Sequence, residues 1–221
     1  MPSPACDCCA NTVSSREAEG DLKRYREQGP DKTTRALIDA IVAGGVEGAT
    51  LLDIGGGIGA IQLELLAVGA ARAESVDASE AYVEIARGEA ERLGFGDRTA
   101  ARVGDFVALA SAIDPADVVT LDRVVCCYPD LQALLGAASD HARRIVGLVY
   151  PRDIWWNRIA ARTWNAFGWI TRDPTRWYLH RPGEVDAILR AAGYRRREVT
   201  RDLIWQVAVY ERTSAVPEAV R

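Results

Sequence analysis

The sequence predicts an α/β protein built on a doubly wound, mostly parallel sheet. Three observations carry this expectation: short apolar segments alternate with helical ones, glycines follow the first apolar segment, and two strand-like segments close the chain. The chain has 221 residues, of which 48% are hydrophobic and 26% are charged. This length and composition suit one large globular domain with a full core and a small appendage.

The region ahead of this alternation predicts an N-terminal extension. Residues 1–20 are polar and lack apolar periodicity, so we expect a loose arm. Residues 21–45 predict a helical cap of two helices, which Gly29-Pro30 separates, with Asp31 as the expected cap of the second helix.

Strand-like and helical segments then alternate along the main domain, for which we expect the bounds 46–212. The predicted strands are residues 50–53, 74–77, 99–103, 117–121 and 144–150. The predicted helices are residues 58–68, 80–93 with Ser79 as the cap, and 131–142. Such alternation places parallel strands between helices on both faces of a sheet.

The pattern changes at Pro151. Residues 153–167 predict an aromatic amphipathic helix, and we expect residues 151–181 as a whole to form a lid or substrate segment. A helix over residues 182–192 follows. Residues 194–200 and 203–210 predict two strands that are joined tightly enough for a C-terminal antiparallel hairpin, and residues 213–221 predict a disordered tail.

The charge distribution bears on the partners. A formal net charge of -4 gives no overall attraction to nucleic acid, although residues 151–201 hold 11 Arg against 5 Asp or Glu and five of the six tryptophans. No apolar run reaches the roughly 18 residues of a membrane span, and the N-terminus is not typical of a signal peptide. We therefore expect a cytoplasmic monomer or homodimer that acts on a small-molecule substrate.

The five cysteines fall into two clusters. Cys6, Cys8 and Cys9 could bind a soft metal, but three thiols without a fourth spaced ligand fall short of a zinc site, so we expect no metal. Cys126 and Cys127 are expected to be reduced, either as small apolar residues or, for Cys127, as a thiol close to the substrate.

The glycine-rich loop over residues 53–59 is the expected cofactor site. Ligands of open parallel sheets bind beyond the carboxyl ends of the strands, and Gly55, Gly57 and Gly59 would allow sharp turns and a close approach by a ligand. The spacing also fits the dinucleotide fingerprint, with Asp77 about 20 residues further on to hold a ribose. Taken alone, the loop leaves two cofactor classes open.

Neighbouring residues favour S-adenosylmethionine (SAM) over a dinucleotide. Asp53 precedes the glycines, and a carboxylate there would repel a pyrophosphate but suit the cationic methionine part of SAM. After the third strand, Asp105 can accept a hydrogen bond from an adenine amino group and Phe106 can pack against the ring. The N-terminal helical extension and the closing hairpin also favour SAM.

These segments resemble the successive motifs of class I SAM-dependent methyltransferases, over roughly residues 45–211. The resemblance implies a Rossmann-like sheet of seven strands with one antiparallel strand. It also implies that the cofactor is held at the methionine part by Asp53 and the glycines, at the ribose by Asp77, and at the adenine by Asp105 and Phe106, with Ala78 and Asp122 as further cofactor contacts.

The second half, over residues 144–194, resembles magnesium-protoporphyrin IX O-methyltransferases in its layout, as does the Tyr128-Pro129 pair. That resemblance implies a catalytic role for a tyrosine on the N-terminal helix, here Tyr25. It implies a second catalytic role for the residue just before the Tyr-Pro pair. The family has a histidine there, and this chain has Cys127.

Methyl transfer needs the acceptor in line with the donor, at about 3 Å, and needs a base only when the acceptor carries a proton. A flat apolar acceptor with carboxylates would suit a cavity lined by Trp and Arg. The expected substrate residues are Tyr128, Arg152, Trp155, Arg176 and His180, although the tryptophans would also fit a core and His180 a structural role in a loop.

The sequence thus predicts a SAM-dependent methyltransferase for a small or medium organic acceptor. The finer expectation is O-methylation of a carboxylate-bearing apolar ring. The residues after the fourth strand lack the Asn/Asp-Pro-Pro-aromatic pattern, which argues against nucleobase acceptors. Three alternatives stay open: a magnesium-protoporphyrin IX methyltransferase proper, an NAD-dependent oxidoreductase, and a non-catalytic SAM-binding protein.

Overall fold

A computed structural model of the chain describes residues 13–173 and 175–213 and contains one seven-stranded sheet. Its order is β3-β2-β1-β4-β5-β7-β6. Strands β1 to β5 pair in parallel, and β7 runs antiparallel to both of its neighbours, which confirms the mostly parallel sheet and the closing hairpin. The strands are β1 (Thr50–Ile54), β2 (Arg72–Asp77), β3 (Thr99–Val103), β4 (Ala116–Asp122), β5 (Ala142–Pro151), β6 (Tyr194–Arg201) and β7 (Trp205–Arg212).

Helices cover both faces of the sheet. They are α1 (Ser15–Gln28), α2 (Lys32–Val42), α3 (Ala60–Ala67), α4 (Glu80–Arg92), α5 (Phe106–Leu109), α6 (Leu131–His141), α7 (Trp155–Thr171) and α8 (Pro182–Ala191). The predicted helices are all present with shifted ends, and α5 is an addition of only one turn. None of the described helices is long and apolar enough to cross a bilayer.

The core has two layers, one on each side of the sheet. Val118 and Val119 are adjacent on β4 and almost fully buried, yet they belong to opposite hydrophobic clusters, because successive side chains of a strand point to opposite faces. One cluster lies against α2 and α3 and the other against α6 and α8. Burial on both faces explains why the central strands are continuously apolar.

The strand order creates a crevice at one edge. From β1 the chain proceeds to β2 and β3 on one side, and β4 then returns to pair with β1 on the other side. Between β1 and β4 the connections therefore diverge, and the carboxyl ends of these two strands are left uncovered. Open α/β sheets bind their ligands at such a switch point.

The N-terminal arm is shorter than predicted. Helix α1 begins at Ser15, because the Ser14 hydroxyl accepts a hydrogen bond from the Glu17 backbone N–H while the Glu17 carboxylate accepts one from the Ser14 N–H. Ala18 on this helix is fully buried. The rest of the predicted arm, with Cys6, Cys8 and Cys9, and the predicted tail from residue 214 lie outside the described residues.

The cap of α2 also differs from the prediction. Asp31 occupies the N-cap position, but its side chain makes no capping hydrogen bond. Its Oδ2 instead accepts a hydrogen bond from Nη1 of Arg123 at 2.7 Å, so an ion pair to the end of β4 takes the place of the cap. By contrast, Ser79 does cap α4, through a 3.4 Å hydrogen bond from the Tyr82 N–H.

The aromatic helix α7 is present, but its tryptophans do not form a core. Trp155 is 67% exposed and Trp169 79% exposed. The residues that α7 buries are the small or polar Asn157, Ala161 and Gly168. The interpretation of these tryptophans as core residues is therefore wrong.

Candidate active site

A cleft of about 490 Å³ opens at the carboxyl edge of the sheet, beside the ends of β1, β2 and β4. This volume lies within the range of small-molecule sites. Most of the predicted site residues line it, namely Tyr25, Asp53, Gly55, Gly57, Asp77, Ala78, Asp105, Phe106, Asp122, Cys127 and Tyr128. The structure thus brings together residues that are up to about a hundred positions apart in the chain.

The glycine-rich loop forms the floor of this cleft. Gly55 and Gly57 have φ angles of 66° and 54°, a left-handed conformation that favours glycine. A Cβ on Gly55 would lie 2.3 Å from Cγ2 of Val124, whereas a Cβ on Gly57 would meet no atom within 4 Å. The backbone at Gly57 therefore borders open space that a ligand can occupy. Gly59 is the N-cap of α3 and does not line the cleft.

Asp53 is the most deeply buried acid of the cleft, with 1% of its surface exposed. Its Oδ1 accepts a hydrogen bond from the Thr120 hydroxyl at 2.6 Å, while its Oδ2 has no partner among the described residues. The pKa of this carboxyl is raised to about 7, mainly by burial and also by the negative charges of Asp122 and Asp77. The hydrogen bond from Thr120 acts in the opposite direction and lowers the pKa. A buried acid with one unsatisfied oxygen is an unusual feature that a cationic ligand would satisfy.

Asp77 joins the loop to the second strand. At the end of β2, its Oδ2 accepts a hydrogen bond from the Gly57 N–H at 2.9 Å and its Oδ1 one from the Ser79 N–H at 2.8 Å. Burial raises the pKa of Asp77, although both backbone hydrogen bonds oppose this shift. The carboxylate therefore fixes the loop, and it lines the cleft from a defined position.

Asp105 and Tyr128 form a linked pair on another wall. Asp105 caps α5 by accepting a hydrogen bond from the Val107 N–H at 3.0 Å. The Tyr128 hydroxyl donates to the same carboxylate, at 3.2 Å from Oδ2. Phe106 is buried beside them, with its ring packed edge-on against His141. The acid and the aromatic ring that were predicted for an adenine thus both line the cleft from the start of α5.

Asp122, at the end of β4, connects the cleft to the N-terminal helices. Its Oδ2 accepts a hydrogen bond from the Thr34 hydroxyl at 2.5 Å, and its Oδ1 has no hydrogen-bond partner in the described part of the chain. Burial raises the pKa of Asp122. Arg123 adopts a left-handed conformation with a φ of 62° and binds Asp31 and the Thr33 hydroxyl. The first turn of α2 is therefore fastened to β4 beside the cleft.

The sequence did not indicate Thr34 as a site residue. It lines the cleft, but it reaches Asp122 across 88 positions of the chain. Only the strand-end acid gives a local signal at this point, and nothing near Thr34 in the sequence reveals the contact.

Tyr25 enters the cleft from α1. Its hydroxyl donates to Oε1 of Glu64 at 3.2 Å. Burial and the negative charge of Glu64 raise the pKa of Tyr25 above its usual value of 10. The residue is therefore a neutral phenol near pH 7, which can donate a hydrogen bond to a substrate but cannot act as a ready base.

Cys127 lies in the short turn Val125–Cys127 that follows β4. It lines the cleft, and its Sγ is 3.8 Å from Sγ of Cys126. His180 is close in space but outside the lining: its Nε2 is 2.9 Å from the carbonyl oxygen of Tyr128. Of the two roles weighed for His180, this contact corresponds to the structural one.

The other expected substrate residues do not line the cleft. Arg152 donates to the carbonyl oxygen of Asp202 at 2.6 Å, and Arg176 donates to that of Thr175 at 2.7 Å, so both guanidinium groups hold loops together. Trp155 projects outward from α7. The predicted lid segment reaches the cleft through Thr175.

Two arginines to which the sequence assigned no individual role lie on the cleft wall. One is Arg24 on α1, which is paired with Asp21 at 2.9 Å, and the other is Arg123 in the turn after β4. Both elements pack at the carboxyl edge of the sheet. The positive charge of the described lining therefore comes from these positions and not from the basic segment over residues 151–201.

Comparison with known families gives one match: residues 46–152 match the family model described as a methyltransferase domain. The matched range contains β1 to β5, and with them the glycine-rich loop and the acids at the strand ends. No curated protein gives a significant sequence match.

Several solved structures of similar fold are described as methyltransferases. The magnesium protoporphyrin IX methyltransferase from Synechocystis with bound SAH superposes with a TM-score of 0.68 at 20% identity, over 89% of this chain and 95% of that one. An O-methyltransferase family protein from Burkholderia thailandensis superposes with a TM-score of 0.68 at 14% identity, over 91% of this chain and 61% of that one. A putative sarcosine dimethylglycine methyltransferase from Galdieria sulphuraria superposes with a TM-score of 0.66 at 10% identity, over 82% of this chain and 86% of that one.

Proposed function

We propose that this chain, in which residues 46–152 match a methyltransferase domain, methylates a small or medium organic acceptor from SAM in the cleft beside Asp53. The matched domain together with the fold supports methyltransferase activity and SAM as its cofactor. The finer proposal concerns the residues that hold SAM and the chemistry of the acceptor.

The observation that carries the proposal is the unsatisfied carboxylate of Asp53. SAM is cationic at its sulfonium and its ammonium group, and it supplies an activated methyl group. A buried acid with a free oxygen beside the cleft would stabilise such charges, because a low-dielectric setting strengthens the attraction. Asp122 on the neighbouring strand adds a second acid, whose Oδ1 has no hydrogen-bond partner in the described part of the chain but lies 3.8 Å from Nε of Arg123.

The remaining cofactor contacts follow the edge of the sheet. We propose that Asp77 and Ala78 hold the ribose, because Asp77 is the acid at the end of the strand next to β1. Asp105 and Phe106 are assigned to the adenine, since both line the cleft at the end of β3. Gly57 would let the ligand approach the backbone closely, as its α-carbon borders open space.

We propose O-methylation of a carboxylate-bearing apolar ring as the reaction. A carboxylate acceptor is deprotonated near pH 7 and needs no general base. The cleft suits this requirement: Tyr25 is neutral there, and the described residues that line it include no histidine. Arg24 offers a guanidinium group for a substrate carboxylate, because its side chain is more than half exposed and pairs only with Asp21 of the same helix among the described residues.

A magnesium porphyrin is the second candidate acceptor. The similarity in fold to the Synechocystis enzyme extends over nearly the whole of both chains, which favours it. Cys127 weighs against it, because a thiol stands where the resemblance expects a histidine. The porphyrin therefore belongs in an acceptor screen beside simpler ring acids.

A calorimetric titration of the full chain with SAM, and separately with NAD, tests the cofactor assignment. We expect binding of SAM alone, together with a higher melting temperature in its presence. No heat and no thermal shift with SAM at high micromolar concentration would refute the proposal.

The acceptor class is tested by incubating the protein with SAM and a panel of aromatic mono- and dicarboxylic acids, magnesium-protoporphyrin IX included. We expect S-adenosylhomocysteine to form with a ring acid and the product to be an ester that mild alkali hydrolyses. An alkali-stable product would overturn the proposal that a carboxylate oxygen is the acceptor, and SAM binding without turnover of any acceptor would favour a non-catalytic SAM-binding protein.

A further inference from the structure

Helix α7 buries small or polar residues and exposes its large apolar side chains, which is the reverse of an ordinary amphipathic surface helix. Its buried side is a narrow stripe of Asn157, Ala161 and Gly168. Its large apolar side chains are exposed instead, and these are Trp155, Trp156, Ile159, Trp164, Phe167, Trp169 and Ile170, with exposed fractions between 36% and 79%. Soluble proteins rarely leave such a contiguous apolar surface uncovered, and one of this kind marks an interaction site.

The exposed surface continues onto the turn between β6 and β7. Trp156 donates from its indole Nε1 to the carbonyl oxygen of Leu203 at 3.2 Å, and Asn157 donates to that of Ile204 at 2.9 Å. Leu203 is itself 69% exposed and Ile204 39% exposed. The helix and the turn therefore present one surface, which we term the α7 face and define as the exposed apolar residues of α7 with Leu203 and Ile204.

The charged residues on α7 and at its C-terminal cap are all positive. Between Asp153 and Asp173 the chain contains three arginines, Arg158, Arg162 and Arg172, and no acidic residue. Arg158 pairs with Asp153 just before the helix, which leaves a surplus of positive charge at the other two. This contrasts with the net charge of -4 for the whole chain. A helix with Trp, Phe and Ile on its outer side and arginines among them has the composition of helices that lie in a membrane interface.

We propose that the α7 face docks on a membrane surface that contains anionic lipid. The tryptophan and phenylalanine rings would enter the boundary between headgroups and acyl chains, and the arginines would bind the lipid phosphates. A second copy of the chain is a poorer occupant, because pairing two α7 faces would bring the surplus arginines together without an acidic residue on either helix.

Docking through the α7 face would also determine how the cleft is oriented relative to the membrane. Helix α7 follows β5 directly at its carboxyl end, and Thr175, four residues beyond the end of α7, lines the cleft. The α7 face therefore lies at the same edge of the sheet as the cleft. Docking would hold that edge toward the lipid, where an apolar acceptor would be concentrated.

The test is co-sedimentation of the full chain with vesicles of phosphatidylcholine, with and without about one-third phosphatidylglycerol. We expect binding that is strong only with phosphatidylglycerol and that weakens with added salt. The double variant Phe167→Ser/Trp169→Ser should lower the partition coefficient at least tenfold, since both side chains are more than half exposed in the free protein. Arg162→Gln should lower it about fivefold with anionic vesicles only.

The control is Val68→Ser/Leu93→Ser, which removes exposed apolar residues at the ends of other helices and should leave vesicle binding unchanged. Unchanged melting temperatures of all variants would exclude unfolding as the cause. Absence of vesicle binding by the native chain, or binding that survives Phe167→Ser/Trp169→Ser, would overturn the proposal. So would a dimer in sedimentation velocity that Phe167→Ser/Trp169→Ser dissociates, without vesicle binding.

Discussion

The Thr120 hydroxyl on β4 donates a hydrogen bond of 2.6 Å to Oδ1 of Asp53 on the neighbouring strand β1. Oδ2 of the same carboxylate has no hydrogen-bond partner among the described residues. The hydrogen bond fixes the orientation of the carboxylate. Burial works against its ionisation and raises its pKa to about 7. The acid is therefore oriented for a cation but titrates near neutral pH until a cation arrives, which makes its protonation measurable.

We expect Asp53 to make the stability of the ligand-free protein depend on pH. Its pKa is about 7 in the folded state and near its ordinary value of 3.8 in the unfolded chain, so the folded state binds more protons between these values. The stabilising contribution is complete below about pH 4 and is lost as the pH rises through 7. In urea denaturation, the unfolding free energy of the native chain should therefore fall over this window relative to that of Asp53→Asn, whose amide stays neutral at every pH.

Affinity for SAM should change in the opposite direction. Ionised Asp53 attracts the cation, so the Kd of the native chain should fall as the pH rises from 6 to 8, while that of Asp53→Asn should be higher and flat. The matched variant Thr120→Val removes the hydrogen bond that lowers the pKa, and it should move the midpoint to higher pH. A native Kd that does not vary over this range would contradict the role of Asp53.

Asp77→Ala should weaken SAM binding at least tenfold, or about 1.4 kcal/mol. The variant loses the proposed ribose contact and also the hydrogen bonds from Gly57 and Ser79 that hold the loop. The control is Glu74→Ala on the same strand, where the carboxylate pairs with Arg102 away from the cleft. Calorimetry should give an unchanged Kd for Glu74→Ala, and equal losses for both variants would argue for a general effect of charge.

Two glycines of the loop should respond differently to alanine. Gly57→Ala places a methyl group where no atom lies within 4 Å, so the cost to folding is the left-handed conformation alone, about 1 kcal/mol. Its SAM affinity should fall much more, because the methyl group projects toward the proposed ligand. Gly55→Ala would bring Cβ within 2.3 Å of Val124 and should destabilise the fold itself. Melting temperature and Kd, measured together, separate the two effects.

The acids and glycines that line the cleft could be predicted from the sequence because their signals are local. An acid such as Asp53 or Asp77 at the end of an apolar strand, followed by glycine or a helix cap, indicates both its element and its place at the edge of the sheet. The capping pair Ser14 and Glu17 is a local signal of the same kind, and it begins α1 at Ser15, within the predicted arm.

The rest of the cleft wall could not be predicted because its contacts join distant parts of the chain. Arg123 reaches Asp31 across 92 positions, and no local pattern reports such a pair. The outward direction of Trp155 was equally hidden, since helical periodicity identifies an apolar face but not whether that face packs on the sheet. The arginines and tryptophans of the basic segment suggested a cavity lining for this reason.

Tyr25→Phe tests the one catalytic assignment for which the structure offers a matched control. Tyr25 and Tyr82 both line the cleft and both donate to a carboxylate, Glu64 and Asp21 respectively. Each phenylalanine variant should lose about 1 kcal/mol of stability with its hydrogen bond. Only Tyr25→Phe should lower kcat, by tenfold or more, with SAM affinity unchanged, if Tyr25 orients the acceptor. Because burial and Glu64 raise the pKa of Tyr25, the native rate should not increase between pH 8 and 10. A rate that increases over this range and loses the increase in Tyr25→Phe would instead identify the phenolate as a base.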